Sequence, residues 1–466
     1  MRNFILPITA AALLAGASPA AIAQDSAGTV TLQEAIDTAM RYNPEILQAQ
    51  FNKEAIEFER KQAEGLNGPR VDIEASAGVR QLKNRTRRAL GIANDELYPL
   101  EMGISGEYTL IDFGRRRGEL LRQAARVDGA SLRVLERSEL VALQVSRQYL
   151  DVLLQQRIAA AADDNRRFHE MLVGDLTRGV TEGSISVADQ QQAEERMQAA
   201  IVRSEEAGKA LRDAQIVLRT LTGLDVSSVV VPPNLVAAMP TTLDAAIGMA
   251  RTRNPLVREA QADVDAANAL VEKSEADLYP TIGLELRGRA GDDIDGFSGK
   301  TTDMLGRVVM RWNVWDGGVN RARLQETIRQ SSIARYALHS RLREAEEDVR
   351  SAWNALETQG RVGTALERQS SVSDDLLLSY RSQFNIGRRS LLDVLDAQNT
   401  RFNTQVRRET SRFSEIFARY QVLAATNNLL EALSIAPGTG ADSRERERFD
   451  YGPSAPAELQ RRVYPD

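Results

Sequence analysis

The chain is written twice. The segment from Thr31 to Asn43-Pro44 returns from Thr242 to Asn254-Pro255, and the spacing of 211 still holds at Pro69 and Pro280. A second match sets Asp112-Phe-Gly114 against Asp316-Gly-Gly318 at a spacing of 204. That spacing continues through Tyr149/Trp353, Gly183/Gly387, Ser186/Ser390 and Asp189/Asp393. A repeat of about 200 residues is too long for a solenoid unit, so the chain is a duplicated half-protein whose halves should share one architecture.

The amino terminus places the protein. A positive start, Met1-Arg2-Asn3, precedes an apolar run from Phe4 to Ala17 and the small-residue pattern Ala21-Ile22-Ala23. Residues 1–23 therefore read as a secretory signal peptide, removed on export. No later stretch approaches the length of a transmembrane helix. With no cysteine, disulfides and thiolate metal sites are not expected. His169 and His339 read as solvated helix residues, so neither a metal nor a cofactor is expected. A net charge of -6, with 27% charged residues of both signs, offers no basic field for nucleic acid. The 5% aromatic content is sparse for an enzyme, and no nucleophile elbow or paired acid in a cleft appears, so the chain is not expected to be one.

Each half repeats one order of signals. The first repeat covers 24–231 and the second 242–435, joined by a Pro-containing linker, 232–241. A helix opens at a Thr cap, pauses at Asn-Pro and ends near Pro69 or Pro280, because proline cannot continue a helix interior. The apolar period then drops to two. Strands are expected at about 70–80 and 100–111 in the first repeat, and at about 281–290 and 305–315 in the second. One face of each is apolar and the other polar, the alternation of an outer-membrane barrel. The polar segments between paired strands suit loops outside the cell.

After Asp112-Phe-Gly114 and Asp316-Gly-Gly318 the helical period resumes. Leu338, Leu342, Ala345, Val349, Ala352 and Leu356 form an a/d seam. A helix from about 112 to 182 would span on the order of 100 Å. Glycines at 183 and 387 suit left-handed turns into shorter returning helices. The tail, 436–466, has no apolar period and is expected to be disordered or a loose collar around the helices.

Four strands cannot close a barrel, and an open edge cannot sit in lipid. Single-chain bacterial barrels start at about eight strands. The expected fold is therefore mainly α with a membrane β-barrel shared among copies: four strands per chain in the barrel, continuous with a long helical barrel beneath it.

The opening helix, the strand pairs ending in Asp-Phe-Gly or Trp-Asp-Gly-Gly, and the run from Phe384 through Gly387, Asp393 and Asp396 to Gln398 resemble the TolC family of outer-membrane efflux proteins over about residues 30–435. The resemblance implies a homotrimer with a twelve-stranded barrel in the outer-membrane lipid of a Gram-negative cell and an α-barrel in the periplasm. It also implies two partners: a periplasmic adaptor (membrane fusion) protein, and an inner-membrane ABC or proton-driven pump.

Carried over by position, Gly183, Ser184, Gly387 and Arg388 match the turns where an adaptor docks. Asp393, Asp396, Arg389 and Asp189 match the closed periplasmic gate. Phe384 stands where a tyrosine would join the gate network, and Gln192 where symmetry would put an acid, so the latch is expected to rest on Arg389 with Asp189. Asp393 and Asp396 lie one turn apart, and three copies would ring a narrow axis with six carboxylates, the kind of ring that selects cations. Tyr108, Trp312 and Trp315 are expected at a membrane interface. The expected function is the exit duct of a tripartite export system, with type I protein secretion as the first cargo. The alternatives are small-molecule efflux, or a non-transporting envelope coiled-coil protein.

Overall fold

A computed structural model describes residues 28–450. The expected signal peptide, 1–23, and the last part of the tail, 451–466, lie outside the described residues.

Strand β1 (Gly28–Val30) leads into helices α1 (Leu32–Tyr42) and α2 (Pro44–Gly65). The Asn-Pro pause is a double cap. Asn43 closes α1 through its N–H to Ala39 O, while its side chain accepts the Glu45 N–H at 2.9 Å. Pro44 follows at the first helical position, where its missing N–H costs nothing and its φ is already helical. Thr31 opens α1 with a capping box to Glu34.

Next come β2 (Arg70–Ala77), a small hairpin of β3 (Arg80–Gln81) and β4 (Glu96–Leu97) enclosing the short helix α3 (Arg85–Ala89), and β5 (Leu100–Ile111). Helix α4 (Arg115–Thr181) runs 67 residues, or about 100 Å. It turns into α5 (Val187–Thr222), which ends before β6 (Val226–Val229).

The second repeat follows the same plan. Helices α6 (Leu243–Arg253) and α7 (Pro255–Ala276) precede β7 (Thr281–Asp292) and β8 (Lys300–Arg311). Helix α8 (Val319–Asn385), again 67 residues, turns into α9 (Leu391–Ala425), followed by the short α10 (Leu429–Ala432) and α11 (Glu445–Arg448).

The four long strands form one antiparallel sheet in the order β2-β5-β7-β8. The β5–β7 pair joins the repeats, with Ile104 opposite Gly288 and Tyr108 opposite Leu284. Strand β8 starts earlier and ends sooner than its apolar pattern suggests. Its first residues, Lys300-Thr-Thr-Asp303, are polar, yet they complete a ladder with Arg289 to Asp292. No helix among the described residues is long and apolar enough to cross a membrane.

The long helices pack side by side: α2 against α4, α4 against α7, and α7 against α8. The α4–α7 seam is lined by small residues. At Gly118 a Cβ would stand 2.9 Å from the backbone Ala269 O and Lys273 N, so glycine there is what lets the two repeats approach. Farther from the sheet, α5 packs on α4 and α9 on α8 and α4. The largest apolar core lies between these regions, where α1, α10 and the β1–β6 pair wrap the middle of α4. There the Tyr149 hydroxyl lies 2.9 Å from the carbonyls of both Val30 and Val230, and the Val230 N–H donates to it.

One expectation is narrowed and one corrected. Of the two readings of the tail, residues 436–450 follow the collar and not disorder: the segment folds back along α2, α4 and α7. Gly438 N–H donates to Ser138 Oγ at 3.0 Å, Glu445 N–H donates to Asp128 Oδ1 at 2.8 Å, and Arg446 pairs with both Asp128 and Asp265. Charge anchors the segment, so apolar periodicity could not reveal it. His169, expected in solvent, is 6% exposed on the α4 face that packs at the far end of the helix pairs. Burial, with Arg203 and Arg196 nearby, holds its imidazole below the usual value.

Candidate functional site

The turn between each long helix and its return is built the same way in both repeats. Gly183 and Gly387 take φ of 76° and 73°, the left-handed region where a Cβ is strained. Three residues on, Ser186 and Ser390 cap the returning helices. Their hydroxyls accept the backbone N–H of Asp189 and Asp393, at 3.1 and 3.3 Å. The aspartates reciprocate: Asp189 Oδ2 lies 2.6 Å from Ser186 Oγ, and Asp393 Oδ2 2.9 Å from Ser390 Oγ. The Ser390–Asp393 pair is a full capping box.

That geometry gives Asp393 a second occupation. Its carboxylate, held below the usual value first by the Ser390 hydroxyl and then by Arg389, caps its own helix while remaining half-exposed. Asp396, one turn later on α9, is exposed. Arg389 reaches Asp393 at 3.7 Å, donates to Gln383 Oε1 at 3.1 Å and stacks its guanidinium 4.3 Å over the Tyr380 ring.

Among the described residues no ion pair joins Arg389 to Asp189 within one chain. Tyr380 was not singled out from the sequence, although it supplies an aromatic ring one turn before Phe384, and this neighbour of Arg389 could have been found by stepping back four residues. Gly183, Ser184, Gly387 and Arg388 are all exposed at the two turns. Between the turns, Phe168, Leu172, Ile185, Phe384 and Val394 line a cavity of about 560 Å³.

At the other end, the sheet has two unlike faces. Val71, Ile73, Met102, Ile104, Met304, Val308 and Met310 are exposed, and the pairing register puts them on one side. The opposite side is charged and internally paired. Arg307 and Arg311 both meet Glu285, and Arg289 reaches Asp303 at 3.1 Å and Asp295 at 3.0 Å. Strands β2 and β8 are bonded on one side only, so both edges of the sheet are open.

Strand and helix are joined by the Asp-x-Gly motifs. Asp112 accepts the Arg116 N–H at 3.0 Å, and Asp316 accepts the Gly318 and Asn320 N–H at 2.9 Å. Each motif glycine, Gly114 and Gly318, is left-handed and caps its long helix. Three aromatics expected at an interface stand at or near this level. Trp315 is 81% exposed, Trp312 donates its indole N–H to Leu278 O at 3.2 Å, and Tyr108 sits on the apolar face opposite Leu284. Phe113 and Tyr279, stacked 5.3 Å apart, join them. Its members lie in different repeats, so no local sequence pattern pairs them.

The family model described as "Outer membrane efflux protein" matches residues 35–224 and 246–434, one match to each repeat. Outer membrane efflux protein BepC of Brucella suis is 25% identical over 289 residues, 61% of this chain and 63% of BepC, so the match spans less than two thirds of that relative. Nodulation protein T of Rhizobium leguminosarum bv. trifolii is 24% identical over 75% of this chain and 76% of its own. Among solved structures, the Campylobacter jejuni CmeC outer membrane channel superimposes with a TM-score of 0.75 at 15% identity, covering 97% of this chain and 98% of that one.

Proposed function

The chain belongs to the outer membrane efflux protein family, and from that premise we propose that three copies form the exit duct of a tripartite export system. It is the family to which the sequence resemblance pointed, and it places the chain in the outer membrane.

The observation that carries the trimeric duct is the sheet: four strands with two unpaired edges, one apolar face and one charged face. Lipid tolerates the apolar face but not the edges, so strands from other copies must complete the ladder. Three copies give twelve strands, with the charged faces turned to a water-filled lumen. The long helices, side by side beneath the sheet, then continue the tube. At its far end the turns at Gly183 and Gly387 receive an adaptor, which hands on cargo from an inner-membrane pump. Asp393 and Asp396 line the entrance there, with Arg389 and Asp189 holding it shut between neighbouring chains.

For cargo, protein export by a type I system is the first reading, resting on the Ser390 to Gln398 tip sequence. Small-molecule efflux is the second, favoured by the match to BepC, whose name is that of an efflux protein. Deleting the gene tests both. Loss of a secreted protein from the medium, restored by complementation, supports the first; unchanged secretion with heightened sensitivity to toxic small molecules supports the second. Migration as a heat-sensitive trimer from outer-membrane fractions tests the duct itself.

A further inference from the structure

The segments that join the paired strands fold onto each other across the two repeats. The first repeat supplies the hairpin of β3 and β4 with α3 between them, and the second supplies residues 293–299 between β7 and β8. Arg87 on α3 joins the two. Its guanidinium donates to Ile92 O and Asp95 O at 2.8 Å each, and to Gly296 O in the other repeat. Arg87 is 1% exposed, and all three of these partners are backbone carbonyls. A charge is buried only where its N–H groups are met, so these carbonyls and the arginine hold one another in place.

The contacts around Arg87 make the two segments one packed cap. Leu97 and Ile294 are buried beside it. Arg80 donates to Ile294 O at 3.4 Å, while Asp293 accepts the Tyr98 N–H at 3.2 Å and the Gly299 N–H at 3.0 Å. Gly296 takes a φ of 88°, and a Cβ there would stand 2.8 Å from Leu82 Cδ2.

The cap leans over one face of the sheet. Asp295 pairs with Arg289 at 3.0 Å, and Arg289 stands on the charged face, where it also meets Asp303. A Cβ at Gly291, the next position along that face, would stand 2.7 Å from Ile294 Cγ2. The apolar face at the same level stays bare, with Leu100, Met102 and Met304 all exposed.

We propose that Arg87 holds a constriction at the outer mouth of the duct, a size filter that keeps bulky polar molecules outside the cell from entering the lumen. The proposal rests on the duct reading: where the charged faces enclose a lumen, three caps leaning over those faces narrow its exit. The cap parts when the two segments separate, and what opposes separation is a short set of contacts centred on Arg87 and on Gly296 against Leu82. Such a unit opens locally, without unfolding the sheet. Cargo driven from the helical end can therefore displace it and let it close again.

The test uses the full chain, which has no cysteine of its own. Ser105→Cys places one thiol on the charged face, opposite Arg287 and deeper than Glu101. Intact cells are treated with a maleimide on a long polyethylene glycol chain, or with a small charged maleimide. Lys83→Cys, in an exposed loop position, is the control for surface display and should react quickly with both reagents. Ser105→Cys should react with the small reagent but slowly with the large one. Adding Arg87→Met should speed the large reagent roughly tenfold or more, because three buried carbonyls lose their donor. Gly296→Ala should act in the same direction through its clash with Leu82. Arg88→Met, which removes an exposed neighbouring arginine, should leave the rate at the parent's. The proposal is overturned if the large reagent reaches Ser105→Cys as fast as Lys83→Cys, if neither Arg87→Met nor Gly296→Ala speeds it, or if Arg88→Met speeds it equally. Failure of the duct reading shows differently: the small reagent then fails to reach Ser105→Cys in any background, and the proposal falls with it.

Discussion

Arg446 Nε lies 2.7 Å from Asp128 Oδ2, a contact that spans 318 residues of sequence and ties the tail to the first quarter of α4, toward the sheet. The same guanidinium meets Asp265 on α7, so one arginine bridges aspartates from both repeats, each only 1% exposed. Burial lifts the Asp265 carboxyl to about 6 even with Arg446 beside it.

Removing that arginine takes the guanidinium away from two buried acids. Arg446→Ala should therefore destabilise the protein by about 3–5 kcal/mol, read as a lower thermal midpoint. Asp128→Asn with Asp265→Asn on the Arg446→Ala background should recover much of the loss. If Arg446→Ala melts like the parent, the tail is not held by this clasp.

Glu139 predicts a pH dependence of definite sign. Burial pushes its carboxyl from the usual 4.5 up to about 8. In the folded chain it keeps its proton through a range where the unfolded chain has released it. Stability from this group is thus complete below about 4.5 and falls as pH rises toward 8, by several kcal/mol at most. Glu139→Gln cannot titrate, so the parent should lose stability relative to this variant between pH 5 and 8. Parallel curves in chemical denaturation would contradict the assignment.

The close approach at Gly118 should not tolerate a side chain. Gly118→Val sets a Cβ against the backbone of Ala269 and Lys273, which cannot rotate aside. The expected cost is about 1–3 kcal/mol from overpacking. Gly174, with open space around its Cβ position, is the internal control and should accept alanine without loss.

The tip aspartates can be separated by their two roles. Ser390→Ala should weaken the helix start by about 1 kcal/mol and let Asp393 titrate nearer its ordinary value, because the Ser390 hydroxyl is the chief cause of the depression. Asp393→Ala with Asp396→Ala should in addition reduce block of single-channel current by trivalent cations added at the helical end. Cation block equal to the parent's would leave Asp393 as a cap alone.

Much of this was legible from the chain because duplication doubles every signal. The strand alternation, the Asn-Pro caps and the Gly183 and Gly387 turns each occur twice at constant spacing, and each has a local physical cause. The features that escaped are those formed between distant segments. The Arg446 clasp is one charge in a polar tail. The Phe113–Tyr279 stack joins two repeats. At the tip, the turns were readable, but the capping duty of Asp393 and the seat of Arg389 on Tyr380 depend on side-chain geometry.

The joints at Pro69, Pro280, Gly114 and Gly318 set how the molecule carries mechanical load. Each long strand is covalently continuous with one long helix: α2 with β2, β5 with α4, α7 with β7, and β8 with α8. A torque on the turns at Gly183 and Gly387 therefore reaches the sheet directly along two continuous tethers per chain, α4 into β5 and β8 into α8, while α2 and α7 share the load only through their packing on those helices. Along the tethers it can be relieved only by flexing at the Gly114 and Gly318 joints. Stiffness along the axis and compliance at a single level are thus built into the same backbone.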